Sequence, residues 1–418
     1  MASHKTPLLA LTLVLSSYLC SAVAVAQGET QQARTLEAHL VARLQLMKSV
    51  AAWKWVNAVP IEDLDREQLV IDRAVLAGLP YGLKKHTVES FYRAQIAAAK
   101  DIQRYWFDQW RVGSPPHSAP DLNAEIRPQL LELGDLIIEN WGARPELTSP
   151  EMLEATLSRV EGLPFSARQI LIDSLISREF YTDPLAQIQD SGVLRIGTTG
   201  DYRPFSYEDE TGTLQGVDIA LGRALADHLQ VAPVFVATSW PTLMDDYATN
   251  LFDIAISGVS ITEARQSVAA FSMPYFFGGK GAIARCEDAA RFQSLENIDQ
   301  PNVRVIVNPG GTNEQFVAAN IHQATVISHQ DNRTIFQRII VDDADVMVTD
   351  LVEVQLQSLE NSALCPAIEQ PLNQQNKGIL IQRSEALASR INNWLVSEKT
   401  QALIDHLFGT YGIARTDR

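Results

Sequence analysis

The chain has 418 residues, 46% of them hydrophobic, and carries 34 Lys and Arg against 50 Asp and Glu, for a formal net charge of −16. This composition excludes a mostly disordered chain, and the length suits two or three domains. The negative field excludes non-specific binding to nucleic acid or an anionic membrane, and requires any site for a small anion to be a local cluster of Arg and Lys.

His4 and Lys5 precede an apolar run from Leu8 to Val25 that ends in Ala24-Val25-Ala26 before Gln27. A charged start, a short apolar stretch and a small-x-small end predict a secretory signal over 1–26. The alternative is an uncleaved anchor, although the run is short for a span and serines interrupt it. No later stretch is long and apolar enough to cross a bilayer. The mature chain is therefore expected in the periplasm, with no membrane partner after cleavage. Cys20 leaves with the signal, and the remaining Cys286 and Cys365 are expected to pair in an oxidising compartment.

Residues 27–182 read as an all-α domain, with apolar residues recurring at three- and four-residue spacing over about 35–55, 63–79, 87–111, 121–141 and 149–178. Pro115, Pro116 and Pro120 mark a loop, and Ser149-Pro150 reads as a helix start with Ser149 as N-cap. Arg43, Met47, Val50 and Lys54 fall on one face of the first helix. Arg127 sits in line with Leu130, Leu131 and Gly134 on the fourth. A buried unpaired cation is costly, so cations on core stripes need an anion. Alternatively, their long stems reach solvent or meet a protein carboxylate.

After Asp183-Pro184, short β-branched runs alternate with helices: Val193–Thr199, Val234–Ala237, Ile254–Ser257, Val303–Val307, Thr325–Ile327, Val346–Thr349 and Gly378–Ile381. The pattern predicts an α/β domain over 183–418, with a largely parallel sheet in each of its lobes. Arg265 lies three residues past Thr262, a candidate N-cap. Asn308-Pro309-Gly310-Gly311-Thr312-Asn313-Glu314 joins a strand to a helix, where free N–H groups suit an anion. The same glycines also suit a plain tight turn. Trp240 is a cleft aromatic or a core residue, and Glu353 a buried acid or a surface residue.

The segments Ala51-Ala52-Trp53-Lys54-Trp55, Ile61-Glu62-Asp63 and Gln95 to Gln103, with Ile126-Arg127-Pro128, resemble the secreted, all-helical type of chorismate mutase. The resemblance implies that Arg43, Arg66 and Arg127 hold two substrate carboxylates. It implies that Lys54 and Gln103 donate to the ether oxygen, that Glu67 accepts from the substrate hydroxyl, and that Asp63 holds that region. Ala99 departs from it, standing where related mutases often carry a hydroxyl.

Ser191 to Ser206 and Phe252 to Arg265 resemble two-lobed periplasmic amino-acid-binding proteins of type II. That resemblance implies a first lobe of about 193–285 plus 380–418 and a second of about 286–379, with ligand between them. Thr199-Gly200-Asp201-Tyr202, Thr238-Ser239-Trp240-Pro241, Gly279-Lys280, Asn308 to Glu314 and Thr349 to Glu353 are similar, more narrowly, to periplasmic cyclohexadienyl dehydratases. This implies Glu353 as general acid with Lys280 and Asn313 as partners. Arg265, Thr312, Ser257 and Ser260 would hold carboxylates, with Asp201 and Trp240 also at the substrate. Asp350 stands where binding-protein relatives capture an amino group. Both cysteines also fit that family.

Together the two resemblances imply an exported bifunctional enzyme that makes prephenate from chorismate and dehydrates it, with arogenate left open as a further substrate and a homo-oligomer left open. The competing expectation is a non-catalytic solute receptor fused to a helical module. No HExxH or Walker motif is present and the eight histidines are scattered, so no metal and no cofactor is expected.

Overall fold

The computed structural model describes residues 36–143 and 149–415, so the segment expected as a signal, 1–26, lies outside the described residues. The chain divides into two compact units, Met1–Tyr181 and Thr182–Arg418.

The first unit is built from helices α1 (36–45), α2 (Met47–Val56), α3 (Leu64–Gly78), α4 (Lys85–Val112), α5 (Arg127–Gly142), α6 (Pro150–Leu157) and α7 (Phe165–Ile176). Their apolar stripes meet in one core, where Leu40, Leu44, Met47 and Val50 pack with Val75, Phe91, Ile102 and Trp141. Trp141 is fully buried and its indole N–H donates to the Leu175 carbonyl at 2.9 Å. Its truncation to Ala would cost about 3–5 kcal/mol. Asp63 caps α3 by accepting the Arg66 N–H, and Asp121 caps a π-turn, Leu122–Ile126, that leads into α5. Ser149 caps α6, with Pro150 in its first turn, as the spacing predicts.

The single helix expected over 149–178 is instead two. Gly162 has φ +82°, and a Cβ there would lie 2.6 Å from Tyr105 Cδ1. Only glycine fits that turn, and Pro164 then starts the next helix without needing an N–H donor.

The second unit holds two five-stranded sheets and a small antiparallel sheet of three short strands, Asp201–Tyr202, Ser206–Glu208 and Leu214–Gln215. The strands of the two larger sheets are β1 (Val193–Thr198), β2 (Ala232–Ala237), β3 (Ile254–Ala255), β4 (Ala270–Phe271), β5 (Lys280–Arg285), β6 (Arg304–Val307), β7 (Thr325–Ser328), β8 (Val346–Asp350), β9 (Leu364–Ile368) and β10 (Leu380–Ile381). The orders are β2-β1-β3-β10-β4 and β7-β6-β8-β5-β9. In each sheet four of the five strands run in one direction and a single strand, β10 or β5, runs antiparallel between its two neighbours, so the largely parallel expectation holds with one reversed strand per sheet. The chain reaches β5 and β10 directly from the other lobe, and antiparallel pairing needs no helical crossover.

A second correction follows. From sequence, 193–285 falls in the first lobe, but β5 pairs inside the second sheet. Ile283 is its only β-branched residue, so the strand is weakly marked. β9 is an edge strand, where Pro366 is tolerated. Cys286, next to β5, and Cys365, on β9, form a disulfide.

The lobes are joined by two segments, 272–279 and 369–379, that bond to each other. Gln375 N–H donates to Gly278 O at 2.7 Å, and Lys377 N–H to Phe276 O at 2.8 Å. The hinge is thus a narrow ribbon lying directly behind the cleft.

Candidate active sites

In the helical unit, a cavity of about 180 Å³ opens between α1 to α5. All seven residues singled out there from sequence line it: Arg43, Lys54, Asp63, Arg66, Glu67, Gln103 and Arg127. The wall carries six cations and three carboxylates, a positive pocket in an acidic chain. Arg73 is paired with Asp135, and Lys100 with Glu67 and Glu62. Among the described residues, Arg43, Lys54, Arg66 and Arg127 have no ion pair to a protein carboxylate within 4.0 Å.

The fold aims these cations with neutral acceptors. Arg43 donates to the Leu130 carbonyl, Lys54 Nζ to the Ile61 carbonyl at 2.5 Å, and Arg127 to Asn123 one turn earlier. Burial pulls the Arg43 and Lys54 pKa values down, the more so because no counter-ion is in direct contact. Tyr92, beside Arg43, is pushed up to about 12 by burial.

Two details differ from expectation. Gln103 Nε2 donates to the Ala99 carbonyl at 3.1 Å, and its Oε1 has no partner. The second N–H of that amide points at Met47 Sδ, 3.8 Å away, a weak acceptor that it can leave for a ligand in the cavity. Glu67 Oε2 already accepts from Lys100 Nζ at 3.0 Å, so Lys100, which carried no expectation, shapes that wall. Ala99 lines the cavity without a hydroxyl.

In the α/β unit, strand register builds the second site. Asp350, the last residue of β8, is the antiparallel partner of Lys280, the first residue of β5. Directly opposed side chains share a face. Lys280 Nζ is therefore 2.8 Å from Asp350 Oδ1 and also meets Thr312 Oγ1 at 3.1 Å and Asn313 Oδ1. Asn313 Nδ2 donates to Thr349 Oγ1 at 3.0 Å, and Thr349 donates to Glu353. A chain of contacts runs from Lys280 to Glu353.

Glu353 lies on the first turn of the helix Leu351–Glu360 and lines the cleft, yet is only 3% exposed. This removes the surface alternative. Burial pushes its carboxyl up to about 8, against the Thr349 hydrogen bond, with Asp350 adding to the rise. Burial also pushes Asp350 up, but Lys280 and Lys377 outweigh it and hold that carboxyl well below the usual range. Lys280 is drawn down to about 8 by burial, with Asp350 opposing.

Trp240 and Tyr202 line the cleft, and Trp240 donates to Asp201 Oδ1 at 3.1 Å. Asn332 of the second lobe donates to the Asp201 carbonyl of the first at 3.0 Å, and Arg203 pairs with Glu360 at 2.9 Å. Gly310 abuts Pro241 so closely that a Cβ would lie 2.5 Å from the Pro241 nitrogen. The lobes are shut on a space of about 20 Å³, room for little more than a water, so ligand entry requires them to part.

Two expected carboxylate contacts are engaged with protein groups. Ser257 is fully buried against the Thr199 and Ser206 hydroxyls, and Arg265 Nη1 donates to the Ser260 carbonyl at 3.0 Å. Burial lowers the Arg265 pKa, with Asp350 near enough to raise it against that. The Gly310 N–H is taken by Glu314 at 2.7 Å, so it is not free for an anion. Asp350 is already neutralised by two lysines: Oδ1 accepts from Lys280, and Oδ2 from Lys377 at 2.5 Å and from Tyr202, which leaves little charge for an amino group. Ser260, Thr312 and Asn313 do line the cleft.

Residues 194–412 match the family model for bacterial extracellular solute-binding proteins, family 3, and residues 34–104 match that for chorismate mutase type II. The chain belongs to the bacterial extracellular solute-binding proteins, family 3. Its solute-binding region is 49% identical over 212 residues to a cyclohexadienyl dehydratase of Pseudomonas aeruginosa, covering 50% of this chain and 79% of that one. The helical region is 37% identical over 120 residues to a monofunctional chorismate mutase of Enterobacter agglomerans, covering 28% and 65%. A solved ancestral amino-acid-binding protein, described as a precursor of cyclohexadienyl dehydratase, is 32% identical with a TM-score of 0.51, covering 54% of this chain and 98% of that one. The chain thus joins a chorismate-mutase-type helical region to a solute-binding fold of dehydratase type. No helix among the described residues is long and apolar enough to cross a membrane.

In the solute-binding domain, sequence reasoning missed Tyr202, Asn332 and Thr349, and above all Lys377. It follows Asn376 and precedes Gly378, which looks like a solvated turn. The available signal was a lysine leading into an otherwise apolar buried strand.

Proposed function

We propose that the chain is a bifunctional exported enzyme, whose helical domain converts chorismate to prephenate and whose solute-binding domain converts prephenate to phenylpyruvate, CO2 and water. The observation that carries this is Glu353, a buried carboxyl in the cleft that keeps its proton near neutral pH. A receptor has no use for a proton donor there, which weighs against the non-catalytic reading.

In the helical cavity the rearrangement breaks the ether C–O bond as a C–C bond forms within the same molecule. No proton, nucleophile or leaving group is required. Arg43, Arg66 and Arg127 fix the two carboxylates and so select the compact conformer. Lys54, with the second N–H of Gln103, donates to the ether oxygen as negative charge grows there. Glu67 and Asp63 orient the hydroxyl end.

In the cleft, the ring C–carboxylate bond of prephenate breaks and its electron pair aromatises the ring. Glu353 gives its proton to the departing hydroxide, which leaves as water. The glutamate recovers a proton from solvent, so one proton is consumed per turnover. Lys280, Asn313 and Thr312 surround the reacting end, while Ser260 and Trp240 line the opposite wall. Arg265 acts from behind Ser260, and Ser257 keeps that wall rigid.

The test supplies chorismate to the purified mature protein and follows prephenate and phenylpyruvate separately. Appearance of both in succession supports the reading. Prephenate that accumulates without phenylpyruvate would reduce the second domain to a receptor.

A further inference from the structure

Lys377 comes from the hinge ribbon, not from either sheet. Its backbone bridges Phe276 on the other connecting segment and Ser260 in the first lobe. Its side chain is 2% exposed, with Nζ 2.9 Å from Ser260 Oγ and 2.5 Å from Asp350 Oδ2. Asp350 lies in the second lobe and also receives Tyr202 from the first and Lys280 from β5. Groups from both lobes and the hinge converge on one carboxylate, one helical turn from Glu353.

We propose that Lys377 is a positioning residue which, from the hinge, holds Asp350 as an internal counter-ion across the shut cleft. The proposal rests on the dehydratase reading and deepens it. Two lysines against one aspartate leave the cluster with one surplus positive charge when Glu353 is neutral. That surplus suits an incoming carboxylate. It also means that when Glu353 has given up its proton, the cluster is neutral overall, so the spent acid is tolerated in a dry site. A single buried lysine would leave the ionised pair, Asp350 and Glu353, with one excess negative charge.

The charged and titratable groups facing this node are Lys280, Asp350, Glu353 and Tyr202, with Arg265 behind Ser260 and Asp218 behind Gly258. The Lys377 charge lowers the Glu353 pKa, opposing burial and Asp350. Removing it should therefore move the Glu353 titration upward.

The experiment compares wild type, Lys377→Met and Lys377→Arg. In Lys377→Met, kcat/KM for prephenate should fall about 10²-fold, and the alkaline limb of its pH profile should rise by about one unit. Lys377→Arg should restore much of the rate. A second readout needs no turnover: carboxyl-carbon NMR titration of Glu353, assigned with Glu353→Gln. It should show the same upward shift in Lys377→Met. Wild-type protein with no dehydratase activity would sink the functional reading, while the titration would still decide the role of Lys377. A folded Lys377→Met with unchanged rate and unchanged titration overturns the proposal.

Discussion

The two sites handle charge in opposite ways. In the helical cavity, Arg43, Lys54, Arg66 and Arg127 are held by carbonyls and an amide, or by nothing the described residues provide, and their charges face open space. In the cleft, Lys280 and Lys377 are locked onto Asp350, and the space between the lobes is nearly closed. The difference follows the chemistry proposed for each. A rearrangement that only needs its substrate clamped leaves cations for that substrate to neutralise. An elimination that needs a proton donor requires a dry pocket in which burial keeps the acid protonated, while the two lysine charges are held on Asp350. The acidic chain accommodates both because each cationic group is local.

The sharpest way to break this contrast is at Glu353. Glu353→Gln keeps the shape and removes the proton, so dehydratase turnover should fall about 10²–10⁴-fold. Prephenate formation from chorismate should be untouched. Arg43→Ala should do the reverse, lowering mutase kcat/KM about 10²–10³-fold while dehydration of supplied prephenate continues. Near-normal mutase turnover in a folded Arg43→Ala would remove that site assignment.

A smaller effect separates the sites by pH. Glu353 must be protonated to act, so dehydration should decline as pH rises through about 8. The mutase transfers no proton and should stay nearly flat between about pH 6 and 8. The same group affects stability. Its folded pKa of about 8 lies above its ordinary 4.5, so the neutral form is favoured by folding. The associated stability is fully present below 4.5 and is lost as pH rises through about 8. Thermal melts of the wild type should show that slope, and Glu353→Gln should flatten it.

The helical cavity was far more legible from sequence than the cleft. Helical hydrogen bonding runs through Leu46 between α1 and α2, so the period still sets Arg43 and Lys54 on one face, while Arg66, Glu67 and Gln103 were legible only through the resemblance. The cleft depends on strand register and on which way a lobe wall faces. Nothing in the sequence around Ser257 marks it as buried against Thr199 and Ser206, and no local pattern tells that Asp350 stands opposite Lys280. Lys377 was hidden for the same reason, since its partners Ser260 and Asp350 are remote in the chain. The α6–α7 break was visible in Gly162 and Pro164, but the apolar spacing on either side ran through it.

The disulfide offers the mildest separation of the two halves. Cys286 and Cys365 are 79 residues apart and both belong to the second lobe, in a different compact unit from the mutase residues Arg43 to Arg127. Closing a loop of that length lowers the entropy of the unfolded chain, a contribution of about 4 kcal/mol in the chain-entropy model. Neither cysteine lines the cleft, so Cys286→Ser with Cys365→Ser should leave dehydratase kcat/KM within about twofold at room temperature while lowering the melting temperature of that domain. Activity after graded heating should then divide the molecule: dehydration should be lost earlier than in the wild type, and mutase activity should follow the wild-type curve. Equal acceleration of both losses would mean that the two domains unfold as one cooperative unit, and the independence on which the comparison of the two sites rests would have to be given up.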